Sequence, residues 1–463
     1  MASTDSRNSS SAATDETAAP GPRRGSLLAI FLTVFIDLLG FGIVLPLLPV
    51  YGRQLASDYQ FTAQQIGWTV GALMSCFSLM QFLFMPIWGR ASDRYGRRPI
   101  LLIGLVGSTF FYGMFGVATS MKSLVGLFVA RIGAGIAGAT IATAQAYIAD
   151  TTTNQNRAKG MALIGAAFAL GFTLGPSLGV VALLMGGDVA LSPWPGYFAS
   201  ALSAVALAVA ALKLPESLSP SAPAADEQRR VFDFGALRNA LATPSVGLLL
   251  VTSFIAVFSF ANFESTLSLQ LEKLVQAYPT AEAKSSILGW ILSKAEGWGY
   301  REHDEVKLIV IFFVFAYLGL TLTVAQGFLV RRLAGRMNEA AMALMGGGVA
   351  LVGFVLLASA ANSGNFTLLM VAMAIEVTGF AFVNPSLQSL ISRRSHPDQQ
   401  GGILGLAQSF SSLSRILGPV IGTRLLFSQP AAPYYAAAAL MALGLVMTVI
   451  AARRGRDYSA DAK

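Results

Sequence analysis

The chain has 463 residues, of which 54% are hydrophobic and only 12% charged, with a formal net charge of +8 at pH 7. A water-soluble domain carries about 25% charged residues, so too little charge remains to cover a solvated surface. The excess of Lys and Arg does not indicate nucleic acid, because it sits in short clusters between apolar stretches. The single cysteine, Cys76, excludes an internal disulfide, and His303 and His396 do not make a metal site by themselves.

In chain order, residues 1–26 are rich in Ser, Thr, Ala and Pro and read as a disordered tail without the apolar run of a cleaved signal. Apolar segments then recur near 27–51, 64–89, 99–119, 124–149, 159–186 and 195–213, each long enough to cross a hydrocarbon core of ~30 Å. A polar, Pro-rich stretch at 214–244 reads as a linker. Six more segments come after it, near 245–270, 306–330, 340–361, 365–391, 402–427 and 433–452, and 453–463 is a short tail. The expected fold is an all-α membrane protein of twelve transmembrane spans in two six-helix bundles. The longest connection, 271–305, holds Trp290, Trp298, an apolar run Ile287–Leu292 and a charged stretch Arg301–Glu305. It is expected to lie along the interface as a spacer with a short surface helix, or to cover part of the outer mouth. With the N-terminus inside, cytoplasmic segments hold about 22 of the 32 Lys and Arg, so both termini are expected to be cytoplasmic.

The halves read as a repeat. Gly175-Pro176-x-x-Gly179 in span 5 recurs 243 residues later as Gly418-Pro419-x-x-Gly422 in span 11, and Gln145 in span 4 has Gln388 in span 10 at the same offset. Duplicated halves with a site between them are a common carrier design, in which rocking of one half on the other alternates access.

Charges inside spans are costly and are functional candidates by default. In span 1, Asp37 lies about ten residues, ~15 Å, into the bilayer. In span 4, Arg131 precedes Gly133, Gly135 and Gly138 at a similar depth. An Asp37–Arg131 pair is the expectation, acting either as a structural ion pair or as a protonation switch that substrate tips. Between spans 2 and 3 stands Gly89-Arg-Ala-Ser-Asp93-Arg94-Tyr-Gly96-Arg97-Arg98-Pro99, a tight turn in which Asp93 is placed to latch moving helices or to be incidental to a basic anchor. Span 5 carries Gly171-x-x-x-Gly175-Pro176-x-x-Gly179, small residues on one face that admit close helix packing. In the second half, Glu264 in span 7 reads as lying near the outer interface, as gate or structural group. Glu376 in span 10 is expected to pair with Arg415 in span 11, or to form a second ionisable site. Asn384 joins Gln145 and Gln388 as neutral polar candidates. Phe41, Phe77, Phe258 and Phe260 line a pocket or simply pack.

The full pattern from Gly89 to Arg98 resembles the signature loop of the major facilitator superfamily. With Tyr147-Ile-Ala-Asp150, the span-5 motif, Leu214-Pro215-Glu216-Ser217, Asn262–Thr266 and Gln326-Gly327, the chain resembles the tetracycline-resistance-like drug:proton antiporter branch over roughly 27–452. The resemblance implies that Gly89, Asp93, Arg94, Gly96, Arg97, Arg98 and Asp150 stabilise one face of the transport cycle. The corresponding loop after span 8, Arg331 to Glu339, has Gly335 where Asp93 aligns, so such a latch is expected to be asymmetric. The span-5 motif resembles that of proton-coupled exporters, with Val180 where a second glycine is usual.

The resemblance implies a secondary active transporter, not an enzyme, effecting proton-coupled efflux of drug-like amphipathic molecules. The alternative is a proton symporter or facilitator for a sugar, organic acid or other metabolite. No phosphate-cradling loop is present in the sequence, so the energy is assigned to a proton gradient, with no cofactor and no metal. The expected partners are a small-molecule substrate, protons and the lipid bilayer, with no nucleic acid. The resemblance further implies a monomer in the inner membrane of a bacterium.

Overall fold

Hydrocarbon offers no partner for a backbone N–H or C=O, so a chain that crosses it repeatedly must satisfy those groups internally. The computed structural model describes residues 24–152, 157–186, 191–218, 244–277, 287–297, 303–333, 336–395 and 400–454. Among these it is helical, with no strand. Span 1 comprises Arg24–Val44, a 3-10 turn Leu45–Leu47 and Leu48–Asp58, broken where Pro46 and Pro49 remove backbone donors. Span 2 is Ala63–Tyr95, span 3 Arg97–Ser120, span 4 Leu124–Gly138 plus Ile141–Thr151, span 5 Arg157–Leu183 and span 6 Trp194–Lys213. Span 7 is Pro244–Ala277. Span 8 is His303–Val324, continued by a π-helical stretch Ala325–Val330 and Arg331–Leu333. Spans 9 to 12 are Glu339–Ser363, Phe366–Arg393, Gln400–Ser428 and Ala432–Arg454.

Eleven of these are long and apolar enough to cross a bilayer. The remaining one, span 11, has 29 residues and carries Ser409, Ser411, Ser412, Ser414 and Arg415 along its middle turns. Caps fix several starts. Thr62 and Gln65 form a capping box before span 2, while Asn338 and Asn365 accept from Ala341 N and Leu368 N at the starts of spans 9 and 10.

Three boundaries differ from those that hydropathy predicts. Span 1 continues to Asp58, span 2 to Tyr95 and span 7 to Ala277, so residues 271–277, expected to open the outer loop, are helix, and the turn expected from Gly89 to Pro99 narrows to Gly96 between two helices. Polar residues in the last turns of spans 1 and 7, Arg53 and Glu272, hide those two extensions from hydropathy, yet they face each other and need no water. Within the loop, Ile287–Gly297 is helical; Leu288 and Ile291 are buried against spans 8 and 10, and Trp290 is exposed beside Phe313. The helix thus docks on the second half. Residues 1–23, 219–243 and 455–463, most of the expected tails and linker, lie outside the described residues, as do His396, Trp298, Arg301, Glu302 and Gly335.

The repeat is visible in packing. Gly171 and Gly175 of span 5 sit against Leu38 and Gly42 of span 1, and Gly418 and Gly422 of span 11 sit against Ala261 and Asn262 of span 7. The halves meet through the equivalent pairs 2–11 and 5–8. Gly67 and Gly71 of span 2 abut Pro419 to Phe427 of span 11, and Gly319 of span 8 abuts Phe172 and Thr173 of span 5. These contacts lie from mid-span toward the end opposite the start of span 1 and the finish of span 12, here the distal end. Toward the other, terminal end, the positions a Cβ would take at Gly89, Gly327 and Gly405 meet no atom within 4 Å among the described residues. The described contacts thus close the halves on each other at the distal end.

Overpacking the span 1–5 contact should cost about 1–3 kcal/mol. A Cβ at Gly175 would come within 2.7 Å of the Gly42 backbone. Gly175→Ala is expected to lower the thermal unfolding midpoint in detergent, whereas Gly348→Ala, with open space around it, leaves it unchanged.

Candidate transport site

Asp37 is half-buried and turns toward spans 3 and 6. Ser203 Oγ of span 6 lies 3.4 Å from its Oδ1 as donor, and the Ser108 hydroxyl of span 3 stands nearby. Arg131 is 2% exposed. Its guanidinium lies over the Phe77 ring, 4.4 Å from the centroid, and 6.0 Å from that of Phe41. The two rings are 5.2 Å apart, and Phe41 also meets Phe172 of span 5 edge-on at 5.9 Å. Nε and Nη1 of Arg131 have no hydrogen-bond partner among the described residues.

The expected Asp37–Arg131 pair is therefore not formed. Depth matches the two groups, but their directions around the helix axes differ. Tyr112 of span 3, buried and within electrostatic reach of both, stands as the group they share. Nothing in the local sequence marks it.

The second half also corrects its expected pair. Arg415 lies within electrostatic reach of Glu264, and Glu264 within reach of Glu376. Both carboxylate oxygens of Glu376, which is 1% exposed, and Oε1 of Glu264 have no hydrogen-bond partner among the described residues. Glu264 is not near the end of span 7, because the helix continues to Ala277. Phe260 stacks on Phe380 beside these carboxylates in sequence, with ring centroids 4.1 Å apart. Phe258 pairs with Phe254 at 5.9 Å. Each half thus carries ionisable groups among aromatic rings. Asn384 and Gln388 are half-buried, and Gln145 is exposed.

The loop between spans 2 and 3 braces its own half. Arg97 engages Asp93, donates through Nε to Asp150 Oδ2 at 3.0 Å and through Nη1 to Ser92 Oγ at 2.6 Å. Glu216, past the end of span 6, accepts from the backbone N–H groups of Arg97 and Arg98 at 2.9 and 3.1 Å, capping span 3. Gly96 adopts φ +101, a left-handed backbone closed to most side chains. Arg94 is exposed beside Tyr95, and Gly89 faces open space. The partner of Asp93, in the last turn of span 2, is Arg97 at the start of span 3, within one half rather than across the halves. Of the packing motif, Gly171 and Gly175 hold span 1, whereas Gly179 meets Phe312 of span 8; Pro176 is buried within the continuous helix.

At the distal end a buried ion cluster joins the halves. Arg53 of span 1 binds Glu272 of span 7 through two nitrogens, Nε at 2.8 Å from Oε2 and Nη2 at Oε1, and Lys307 Nζ of span 8 lies 3.2 Å from Oε1. The side chains of Glu272 and Lys307 are each 3% exposed. Ser268 Oγ donates to Pro46 O at 2.9 Å, Thr423 Oγ1 to Gly67 O at 2.8 Å, and the Thr173 and Thr323 hydroxyls meet at 2.8 Å. The only sequence signal for this cluster is charge at the polar ends of long spans.

Two repeated six-helix halves, meeting along two symmetric helix pairs and enclosing sparsely paired charges, have the architecture of a membrane carrier. The chain belongs to the major facilitator superfamily, whose sequence profile matches residues 30–419 and 303–462, and it is a multi-pass membrane transporter. It is 29% identical over 408 residues to a tetracycline resistance protein, class G, of Vibrio anguillarum, covering 88% of this chain and 92% of the relative. Among solved structures it resembles the human organic anion transporter MFSD10 (TM-score 0.61, 23% identity, 92% of this chain and 99% of that one). It also resembles a D-xylose–proton symporter (TM-score 0.68, 14% identity, 92% and 96%).

Removing one member of a buried ion cluster costs about 3–5 kcal/mol when it strands charge. Glu272→Gln is expected to loosen the distal closure. In a Cys76→Ser background, a cysteine at Ser268 should react faster with a small aqueous maleimide once Glu272 is replaced; an unchanged rate would remove the cluster from the closure.

Proposed function

We propose that the protein exports drug-like amphipathic molecules in exchange for protons by alternating access. The observation that carries this reading is Asp37, an intramembrane carboxylate served by hydroxyls rather than by a cation. A carboxylate in that setting can gain or lose a proton without breaking a structural ion pair. The similarity to tetracycline resistance proteins supports export, since resistance follows from removal of the compound, and the span-5 glycine-proline motif supports it from the sequence.

Residues with exposed or unpartnered polar atoms supply the cargo contacts. Arg131 with Phe41 and Phe77 offers a cation set among aromatic faces, suited to a planar molecule bearing an acceptor. Glu264, Glu376 and Arg415 offer a complementary group from the other half. The neutral Gln145, Asn384 and Gln388 are assigned supporting contacts. Asp93, Arg97 and Asp150 hold the loop that stiffens the first half while it swings. Energy comes from the proton gradient, with no cofactor, and the unit is a monomer. We place it in a bacterial inner membrane with both termini cytoplasmic, so the distal closure faces outward.

The test is proton movement in sealed proteoliposomes on adding a panel of cationic and amphipathic compounds. Substrate is expected to release protons from an acid-loaded lumen, and Asp37→Asn to abolish that release while leaving cargo binding within a few-fold. Co-directional movement of substrate and protons would make the chain a symporter for a metabolite instead.

A further inference from the structure

Asp37 turns away from the seam along which the halves touch. The halves meet through spans 1, 2, 5, 7, 8 and 11, yet Asp37 is served by Ser108 of span 3 and Ser203 of span 6, whose packing partners are first-half spans. Within the first bundle lies a narrow cleft of about 30 Å³, whose lining includes Thr33 and Asp37 of span 1, Leu101 and Leu105 of span 3, and Thr140 and Ala144 of span 4. That is room for about two water molecules and far too little for cargo. The lining runs toward the terminal end, since Leu101 is in the first turns of span 3 and Ala144 in the second segment of span 4.

The cleft coincides with the break in span 4 between Gly138 and Ile141. A broken helix leaves carbonyls without intrahelical partners, and irregular backbone persists at membrane depth only where protein or water satisfies it. Here span 2 does so: Gln81 Nε2 donates to Gly138 O at 3.2 Å and Trp88 Nε1 to Ile136 O at 2.8 Å. Thr33 Oγ1 donates to Ala29 O at 2.8 Å and Thr140 Oγ1 to Ala137 O at 3.2 Å. Each hydroxyl spends its proton on backbone and keeps lone pairs to accept from water. A fold that supports a break from a neighbouring span maintains the break, and here the break borders a slot that ends at a carboxylate.

From this we infer that protons reach Asp37 through the cleft between spans 1, 3 and 4, inside the first half, on a path separate from that of the cargo between the halves. This rests on the antiport reading. In the step itself, a cleft water bearing the excess proton donates it to an Asp37 oxygen, giving the carboxylic acid and a neutral water; release is the reverse, and no other reactant is consumed. The groups facing Asp37 are Ser108 and Tyr112 of span 3 and Ser203 of span 6, with Arg131 beyond Tyr112; span 5 presents Gly171 and Gly175 to span 1.

The route can be read without cargo by infrared spectroscopy of the full chain in lipid vesicles. The Asp37 carboxyl C=O band at acid pH, assigned by its loss in Asp37→Asn, exchanges on transfer to D2O. Ala144→Leu, which fills the cleft, and the near-isosteric double change Thr33→Val with Thr140→Val, which removes its acceptors and tolerates folding better, are each expected to slow that exchange by about tenfold. Gly405→Trp, placed in the open space at the terminal end of span 11, leaves it unchanged. Exchange as fast as in the unaltered chain in both cleft variants overturns the inference, as does slowing by Gly405→Trp alone. Failure of the antiport reading is distinguishable, because it shows as absent substrate-induced proton release in the unaltered chain whatever the exchange rates.

Discussion

The cost of an unpaired polar group in hydrocarbon governs this molecule. Because lipid supplies no hydrogen bonds, a departure from a straight apolar helix calls for support from another span, and three such supports can be named. The break in span 4 is held by Gln81 and Trp88 of span 2. Asp37 is held by hydroxyls of spans 3 and 6, and Arg131 by the Phe41 and Phe77 rings. The position of each charge is therefore a property of helix packing, and that packing is set by small residues whose backbones touch, such as Gly175 against Gly42.

Two interfaces of different composition result. Within each half, glycines of spans 5 and 11 lock against spans 1 and 7, a fit that tolerates no added atom. Between the halves, the distal closure also uses close glycine contacts and adds hydroxyl bonds and the Arg53–Glu272–Lys307 cluster. Water can replace those added polar contacts when the seam opens. The junction of spans 2 and 3 at Gly96, tied through Arg97 and Arg98 to Asp150 and Glu216, adds stiffness at the terminal end of the half that carries Asp37. Rigid halves on an exchangeable seam are what alternating access requires.

The number, order and repeat of the spans are legible in the sequence because hydropathy and the glycine-proline echo report depth and duplication. Direction around each helix axis is not. Asp37 and Arg131 share a depth but face different neighbours, and only the packing of span 1 on spans 5 and 6 decides which way Asp37 turns. Hydropathy misplaces Glu264 for a related reason: the amphipathic last turns of span 7, ending in Glu272-Lys273, do not read as membrane helix, yet they continue the span and leave Glu264 deep within it. Depth alone pairs Glu376 with Arg415, since both are mid-span; the structure interposes Glu264, which hydropathy puts at the periphery. The role of Glu216 as a cap on span 3 joins residues 119 apart, and no local pattern announces it.

The central claim is that two rigid halves exchange a distal closure for a terminal one as Asp37 changes its protonation. The most direct measurement is a pair of spin-label distances in lipid nanodiscs, one joining the distal ends of spans 2 and 11 and one joining their terminal ends, recorded from pH 5 to pH 8. The account predicts that the two distances change in opposite senses across this range and that Asp37→Asn holds both at one setting. Distances that move together, or that respond to pH alike with and without Asp37, would contradict it.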